Sequence, residues 1–347
     1  MAIVTLQLAD VKSHPETRPS ACPYCGSTIL QKWGKSQKPI RDMDTQQVEV
    51  HRYRCTACGR TFRHYPAGVD KADQSLRLQQ LAAIMWALGL SLRAVVWVLG
   101  VFGIRLCHIT VWRDLQAQAE RVRRRMRKRR VRVIGLDGMF GKVRARGQGV
   151  VVAVDMGTGE PVVLMKLEED DVDAVVASLR PLVEEMGIRV LVTDDLSAYR
   201  VVAEKLGLEH QVCDFHLMRW AGRALKGFEK ELGAEYAGVI EEVRRILREK
   251  PPDGADQLER IWERIRPLWR RRGGPVDAVH RFRMLLVRLA ENWERYTLFL
   301  KQGGVPRTNN RTEQAIGRWR VRSASARGYK SWEGLEAAFW VCNSKVA

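Results

Sequence analysis

Apolar and polar positions change their rhythm several times along the chain. Residues 1–21 are a polar lead-in, and residues 22–66 carry β-type segments around two cysteine pairs. From 74 to 120 the spacing turns helical and unusually apolar. From 131 it turns to β. Strands are predicted near 131–136, 149–156 and 161–167, a helix near 171–186, a strand near 188–193, a helix near 197–206, and a short strand from Glu209 to Val212. Met156-Gly157-Thr158-Gly159-Glu160 reads as the hairpin turn between the second and third of these strands. From about 214 to 300 the pattern is helical and rich in Arg, Glu and Trp. Pro251-Pro252-Asp253-Gly254 and Gly273-Gly274-Pro275 break it, and Gly303-Gly304-Val305-Pro306 ends it before a last helix that starts near Asn309.

Length and charge narrow the classes. A chain of 347 residues predicts two or three domains with real cores. Lys and Arg number 59 against 40 Asp and Glu, a net +19, which favours a polyanionic partner through phosphate neutralisation. No apolar run reaches the roughly 18 residues needed to span a bilayer, so no membrane partner is expected. The N-terminus lacks a charged region followed by an apolar stretch, so no secretory signal is read. Four of the seven cysteines form two close pairs, which fits a metal site in a reducing compartment better than disulfides. A cytoplasmic, nucleoid-associated protein is expected.

The pairs are Cys22-Pro23-Tyr24-Cys25-Gly26 and Cys55-Thr56-Ala57-Cys58-Gly59, with 29 residues between them. Two such knuckles can set four thiolates around Zn²⁺, and the glycine after each lets backbone amides face sulfur. The prediction is a zinc ribbon with Cys22, Cys25, Cys55 and Cys58 as ligands. A redox role is the lesser alternative. Lys32, Lys35, Lys38, Arg52, Arg54, Arg60 and Arg63 favour nucleic acid as its target. Leu90 to Gly100, a glycine-containing turn and Cys107 to Asp114 follow the helix-turn-helix plan. Its second helix would present His108, Thr110, Arg113 and also Gln116 to a groove, with Cys107 buried. An ordinary helical hairpin is the alternative. The basic run from Arg123 to Arg130 reads as a linker or as a helix end that tracks DNA.

Three acids stand in unlike settings. Asp137 closes the strand at 131–136, Asp194 closes the one at 188–193, and Glu313 lies in the late helix. Strand-end carboxylates project into the crevice at the carboxyl edge of a sheet. Two divalent ions about 4 Å apart, Mg²⁺ or Mn²⁺, suit such oxygen ligands and the displacement of phosphodiesters. Each acid also has a plainer reading. Asp137 precedes Gly138 and would serve a turn. Asp194 or Asp195 would cap the helix near Ser197. Glu313 follows Asn310 at capping-box spacing.

Taken in order, Ile134-Gly135-Leu136-Asp137-Gly138, Val192-Thr193-Asp194-Asp195-Leu196-Ser197-Ala198-Tyr199, Cys213-Asp214-Phe215-His216 and Thr308-Asn309-Asn310-Arg311-Thr312-Glu313 are similar to motifs of a known family. The chain resembles prokaryotic insertion-sequence DDE transposases, of the broad group that includes Mutator-like elements. That resemblance implies a multidomain α/β protein: a zinc ribbon over 1–70, a helix-turn-helix segment with basic linker over 71–130, and a ribonuclease H-like core over 131–219. A helical insertion over 220–305 would interrupt the core, and 306–347 would complete it with the Glu-bearing helix. The 118 residues between Asp194 and Glu313 agree with such an insertion. Asp137, Asp194 and Glu313 would be the catalytic acids and Mg²⁺ ligands, with the Asp194-Asp195 doublet leaving the second position open. Cys213 and His216 would be accessory, structural or near the scissile phosphate. Beyond Glu313, Arg318 and Arg320 would contact DNA, Arg320 returning to the face of Glu313, with Arg322 and Arg327 further on. Trp319 is expected to pack in the core, as are Trp262, Trp269 and Trp293 in the insertion. The expected activity is binding of terminal inverted repeats, cleavage and strand transfer into target DNA by a homo-oligomer on DNA. The rival readings are a non-catalytic DNA-binding regulator and a ribonuclease H-like nuclease.

Overall fold

The computed structural model describes residues 8–265, 277–326 and 328–344. Trp269, the Gly273-Gly274-Pro275 break and Arg327 lie outside the described residues. The fold is mixed α/β, and the chain divides into two compact units. One comprises Met1–Met126, Gly141–Gln148 and Ala315–Ala347; the other comprises Arg127–Phe140 and Gly149–Gln314.

In the first unit, strands β1 (Leu30–Pro39), β2 (Gln47–Cys55) and β3 (Thr61–His64) form an antiparallel sheet in that order. Helices α1 (Leu76–Ala87), α2 (Leu92–Val101) and α3 (His108–Arg127) follow. Ser75 and Ser91 cap the first two by accepting the amides of Leu78 and Ala94. In α3, Val111, Leu115, Ala119, Val122 and Met126 make one buried stripe at three- and four-residue spacing. Arg123 and Arg124 lie off that stripe and pair with Glu120. Residues 123–127 of the basic run are therefore the last turns of a helix.

The second unit is built on a five-stranded sheet. In chain order its strands are β4 (Val133–Val143), β5 (Arg146–Asp155), β6 (Pro161–Met165), β7 (Val190–Thr193) and β8 (Glu209–Val212), arranged β6-β5-β4-β7-β8. β6 runs antiparallel to β5, while β4, β7 and β8 are mutually parallel. Helices α4 (Val172–Met186) and α5 (Ser197–Leu206) make the crossovers that parallel strands require. The expected turn at 156–160 is present. Asp155 holds it by accepting the Gly157 amide at 2.7 Å and the Thr158 hydroxyl at 2.7 Å.

Helices α6 (Asp214–Leu232), α7 (Ala237–Glu249), α8 (Gly254–Arg264), α9 (Ala278–Glu291) and α10 (Trp293–Lys301) follow. They close over their own core, with Ile240, Leu258, Phe282, Leu286 and Tyr296 fully enclosed. Trp293 belongs to that core as expected. Trp262 does not: it is exposed, with the Arg283 guanidinium 4.0 Å above its ring. The last helices are α11 (Asn310–Ala326) and α12 (Trp332–Asn343). Trp319 is buried, stacked 6.2 Å from Tyr329, in keeping with its expected packing role. Among the described residues no helix is long and apolar enough to cross a membrane.

Candidate active site

Asp137 does not end its strand, as the sequence suggested, because β4 continues to Val143. What ends is its pairing. β4 and β7 run in register from Val133↔Val190 to Gly135↔Val192, and β7 is the shorter strand. Two further steps along that register set Asp137 beside Asp194, on neighbouring strands about 4.8 Å apart. One step beyond Thr193↔Val212 likewise sets Cys213 beside Asp194. The row Asp137, Asp194, Cys213 thus forms at the carboxyl edge of three parallel strands.

Alternation puts Val133, Gly135 and Asp137 on one face. On that face Val133, Val190 and Val192 pack with Val305, Leu298 and Phe299. Gly135 is where α11 reaches the sheet. A methyl group there would collide with Thr312 Oγ1, Asn309 Oδ1 and Met156 Sδ. Asn309 secures the approach: its Nδ2 donates to the Leu136 carbonyl at 3.0 Å, and its Oδ1 accepts from Thr312 Oγ1 at 2.7 Å. Asn309, rather than Asn310, therefore stands at the capping position before the helix, its carbonyl accepting the Thr312 and Glu313 amides at 3.0 and 3.2 Å, and Glu313 is four residues on, outside the capping-box spacing. Glu313 Oε1 is buried without a hydrogen-bond partner among the described residues.

Asp137 lies within reach of the charges of its acidic neighbours. Burial, then the neighbouring Asp194 charge, pushes the Asp137 carboxyl up to about 7; Glu169 and Glu313 add to the rise, and the Gly138 amide, donating at 2.9 Å, opposes it. Burial also raises Asp194, against the Leu196 amide and the imidazole of His216. The doublet divides its work. Asp195 accepts Arg288 Nη2 at 2.5 Å and lies 3.4 Å from the Tyr296 hydroxyl, both on the helices after β8. Asp194 instead faces Asp137. Asp137 and Asp194 are half-buried and adjacent and offer oxygen donors of the kind Mg²⁺ or Mn²⁺ takes, with Glu313, its side chain 40% exposed, as the third carboxylate.

Cys213 precedes α6 and is fully buried, its Sγ accepting the Asn309 amide at 3.3 Å. Burial raises its thiol. His216 Nδ1 lies 3.8 Å from Glu313 Oε1. Asp214, between them in sequence, points elsewhere: it pairs with Lys250 at 2.6 Å and with Arg307 at 2.6 Å.

In the other unit, the Sγ atoms of Cys22, Cys25, Cys55 and Cys58 all lie within 4.8 Å of one another. Each knuckle closes on a left-handed glycine, Gly26 and Gly59, whose amide donates to the carbonyl of its first cysteine at 3.0 Å. The group is compatible with a zinc ribbon. His108 and Arg113 are exposed at the start of α3 and Thr110 is half-buried. Two expectations fail here. Cys107 is exposed, with Sγ 3.2 Å from Thr110 Oγ1, because it lies in the turn before the helix. Gln116 turns to the Glu333 carbonyl, 3.4 Å away, instead of outward. Arg320 is exposed, whereas Arg318 is half-buried and donates to Asn343 Oδ1 at 2.8 Å.

Residues 146–336 match the model of the Transposase IS66 family, more than half of the chain. The chain belongs to the IS66 transposase family. The Mutator-like grouping is thereby corrected: the family model that matches is that of IS66 transposases. A relative of this family member is the "Insertion element ISM1 uncharacterized 48.3 kDa protein" of Methanobrevibacter smithii, 22% identical over 314 residues, which are 84% of this chain and 74% of the relative. Among solved structures, the catalytic core domain of BIV integrase aligns with 55% of this chain and 97% of its own at 14% identity, with a TM-score of only 0.19.

Two residues of this site escape a reading of the sequence. Glu169, just before α4, packs against Gly138, where a methyl group would strike its carboxylate. Tyr199 donates to Glu169 Oε2 at 3.0 Å, its hydroxyl shielded by burial. Glu169 sits in the acidic run Glu168-Glu169-Asp170-Asp171, where nothing local separates it from its neighbours. The signal that could have found it is Gly138, a small residue next to a candidate acid.

Proposed function

We propose that this family member is a DDE transposase, in which Asp137, Asp194 and Glu313 hold a pair of divalent ions for cleavage and joining of DNA. The observation that carries the reading is the register that sets Asp137 beside Asp194, under the helix that brings Glu313. Mg²⁺ or Mn²⁺, when bound, would supply charge neutralisation at the attacking and leaving oxygens. The protein's own part is positioning. β4 and β7 hold the two aspartates at fixed spacing, and Asn309 fixes α11 on β4. Glu169, held by Tyr199, adds a fourth carboxylate beside Asp137. Water attacks the element end in line and releases a 3′-hydroxyl, which then attacks target DNA.

In this reading the core is ribonuclease H-like over 131–219, interrupted by the helices of 220–305 and completed from 306. The four cysteines hold Zn²⁺, and the ribbon with the helix-turn-helix of α2 and α3 binds the terminal inverted repeats. Support comes from exposed Trp33 and Tyr24, each under an arginine, Arg54 at 4.9 Å and Arg60 at 5.2 Å, a pairing suited to bases and phosphates. His108, Thr110 and Arg113 read the groove, and Arg318 and Arg320 contact the backbone. The active form is a homo-oligomer on paired ends.

The test is an assay with DNA carrying the inverted repeats that flank the gene. Mg²⁺-dependent cleavage and joining of a pre-cleaved end are expected. Cleavage without joining would make the protein a nuclease, and end binding with neither would make it a DNA-binding regulator.

A further inference from the structure

Glu313 takes part in a second constellation that the acidic site does not need. Cys213 Sγ, a nitrogen of His216 and an oxygen of Glu313 lie within 4.8 Å of one another. His216 Nδ1 and Glu313 Oε1 are both buried and both lack a hydrogen-bond partner among the described residues. Buried polar atoms in native structures have partners, so two such atoms 3.8 Å apart point to something that belongs between them. Their separation is close to a donor–donor edge in a tetrahedron with metal–ligand arms of about 2.0–2.3 Å, which is about 3.3–3.8 Å.

The donor set names the ligand class. Thiolate, imidazole and carboxylate together suit Zn²⁺, whereas Mg²⁺ takes oxygen. Three protein ligands leave one coordination position open, the pattern of an exchangeable site. Asp214 cannot complete it, because Lys250 and Arg307 hold its carboxylate. The scaffold is firm: Cys213 is anchored by its own amide to the Thr193 carbonyl at 2.7 Å, and its sulfur by the Asn309 amide.

We propose that Cys213, His216 and Glu313 form a Zn²⁺ site distinct from the four-cysteine cluster. This rests on the proposed catalytic reading in one respect: Zn²⁺ held there withdraws Glu313 from Asp137 and Asp194, and so acts as an inhibitor of the Mg²⁺ reaction. Binding forms Zn–S, Zn–N and Zn–O bonds, releases the thiol proton to solvent and changes no oxidation state.

The experiment is metal counting on the full chain, stripped with chelator and then titrated with Zn²⁺ or with Co²⁺ as a spectroscopic probe. The wild type binds two equivalents. Cys213→Ser and His216→Ala each bind one, and the Co²⁺ spectrum that remains is that of a four-thiolate site. Glu313→Gln keeps two ligands and weakens the second equivalent by more than the about 10- to 100-fold typical of losing an outer-sphere partner. Thermal unfolding of each variant checks that it is folded. A single equivalent in the folded wild type, or two in both Cys213→Ser and His216→Ala, overturns the site. The count is independent of catalysis. If Asp137→Asn cleaves normally the catalytic reading fails while the zinc count stands, and an unaltered count beside an inactive Asp137→Asn sinks the zinc site alone.

Discussion

The cysteine cluster, whose four sulfurs lie within 4.8 Å of one another, and the acidic group proposed to hold divalent ions are assembled in opposite ways. Cys22 with Cys25, and Cys55 with Cys58, come from two knuckles whose shapes are local, each closed by its own glycine. Only the pairing of β1 with β2 is needed to join them. Asp137, Glu169, Asp194 and Glu313 come from four distant segments, joined by a strand register, a helix crossover and the contact of α11 with Gly135. A local site tolerates damage elsewhere in the chain. A site of long-range contacts fails when any one of them is disturbed.

That contrast is broken most sharply by Asp137→Asn. Loss of a metal-binding carboxylate is expected to lower Mg²⁺-dependent end cleavage by about 10³-fold or more, several kcal/mol of transition-state stabilisation. Zinc content and end binding should be unchanged, as read by metal analysis and gel shift. Gly135→Val attacks the scaffold instead. The added side chain has to displace Thr312, Asn309 and Met156, at about 1–3 kcal/mol of overpacking. Cleavage should fall with the unfolding midpoint while the four-cysteine cluster keeps its metal. Equal loss at both sites would remove the distinction between them.

Much of this organisation is legible in the sequence. The strands at 149–156, 161–167 and 188–193 alternate or run apolar between turn residues, and all three are present with small shifts at their ends. Asp155 and Gly159 announce their hairpin. The hairpin between β4 and β5 carries no such signal. Its turn residues Arg144 and Ala145 both have positive φ, a conformation that sequence assigns to Gly or Asn. For that reason β4 looked as if it stopped at Asp137. Glu169 and the meeting of Glu313 with Cys213 and His216 depend on tertiary contacts between segments far apart, which periodicity does not report.

The pH response sharpens the comparison further. The Asp137 carboxyl lies at about 7 in the folded protein against 3.8 for the ordinary group. Between those values the folded, metal-free protein holds a proton that the unfolded chain has lost. Its stability should therefore fall as pH rises from about 4 to about 7, by on the order of a few kcal/mol. Mg²⁺ should restore that stability above pH 7, and denaturant melts with and without the ion measure both effects. Glu169→Gln is the mildest change. It removes one of the smaller charges on Asp137, so the pH midpoint of this response should move down, with about a 10-fold or smaller loss of Mg²⁺ affinity.

The central claim is that Asp137, Asp194 and Glu313 meet at one metal centre. It is tested most directly by loading the zinc-replete protein with Fe²⁺ in place of Mg²⁺ and generating hydroxyl radicals with peroxide and ascorbate. Backbone cuts clustered near residues 137, 194 and 313, suppressed by excess Mg²⁺ and lost in Asp137→Asn, are the predicted result. Cuts elsewhere, or the same cuts in the variant, would contradict it.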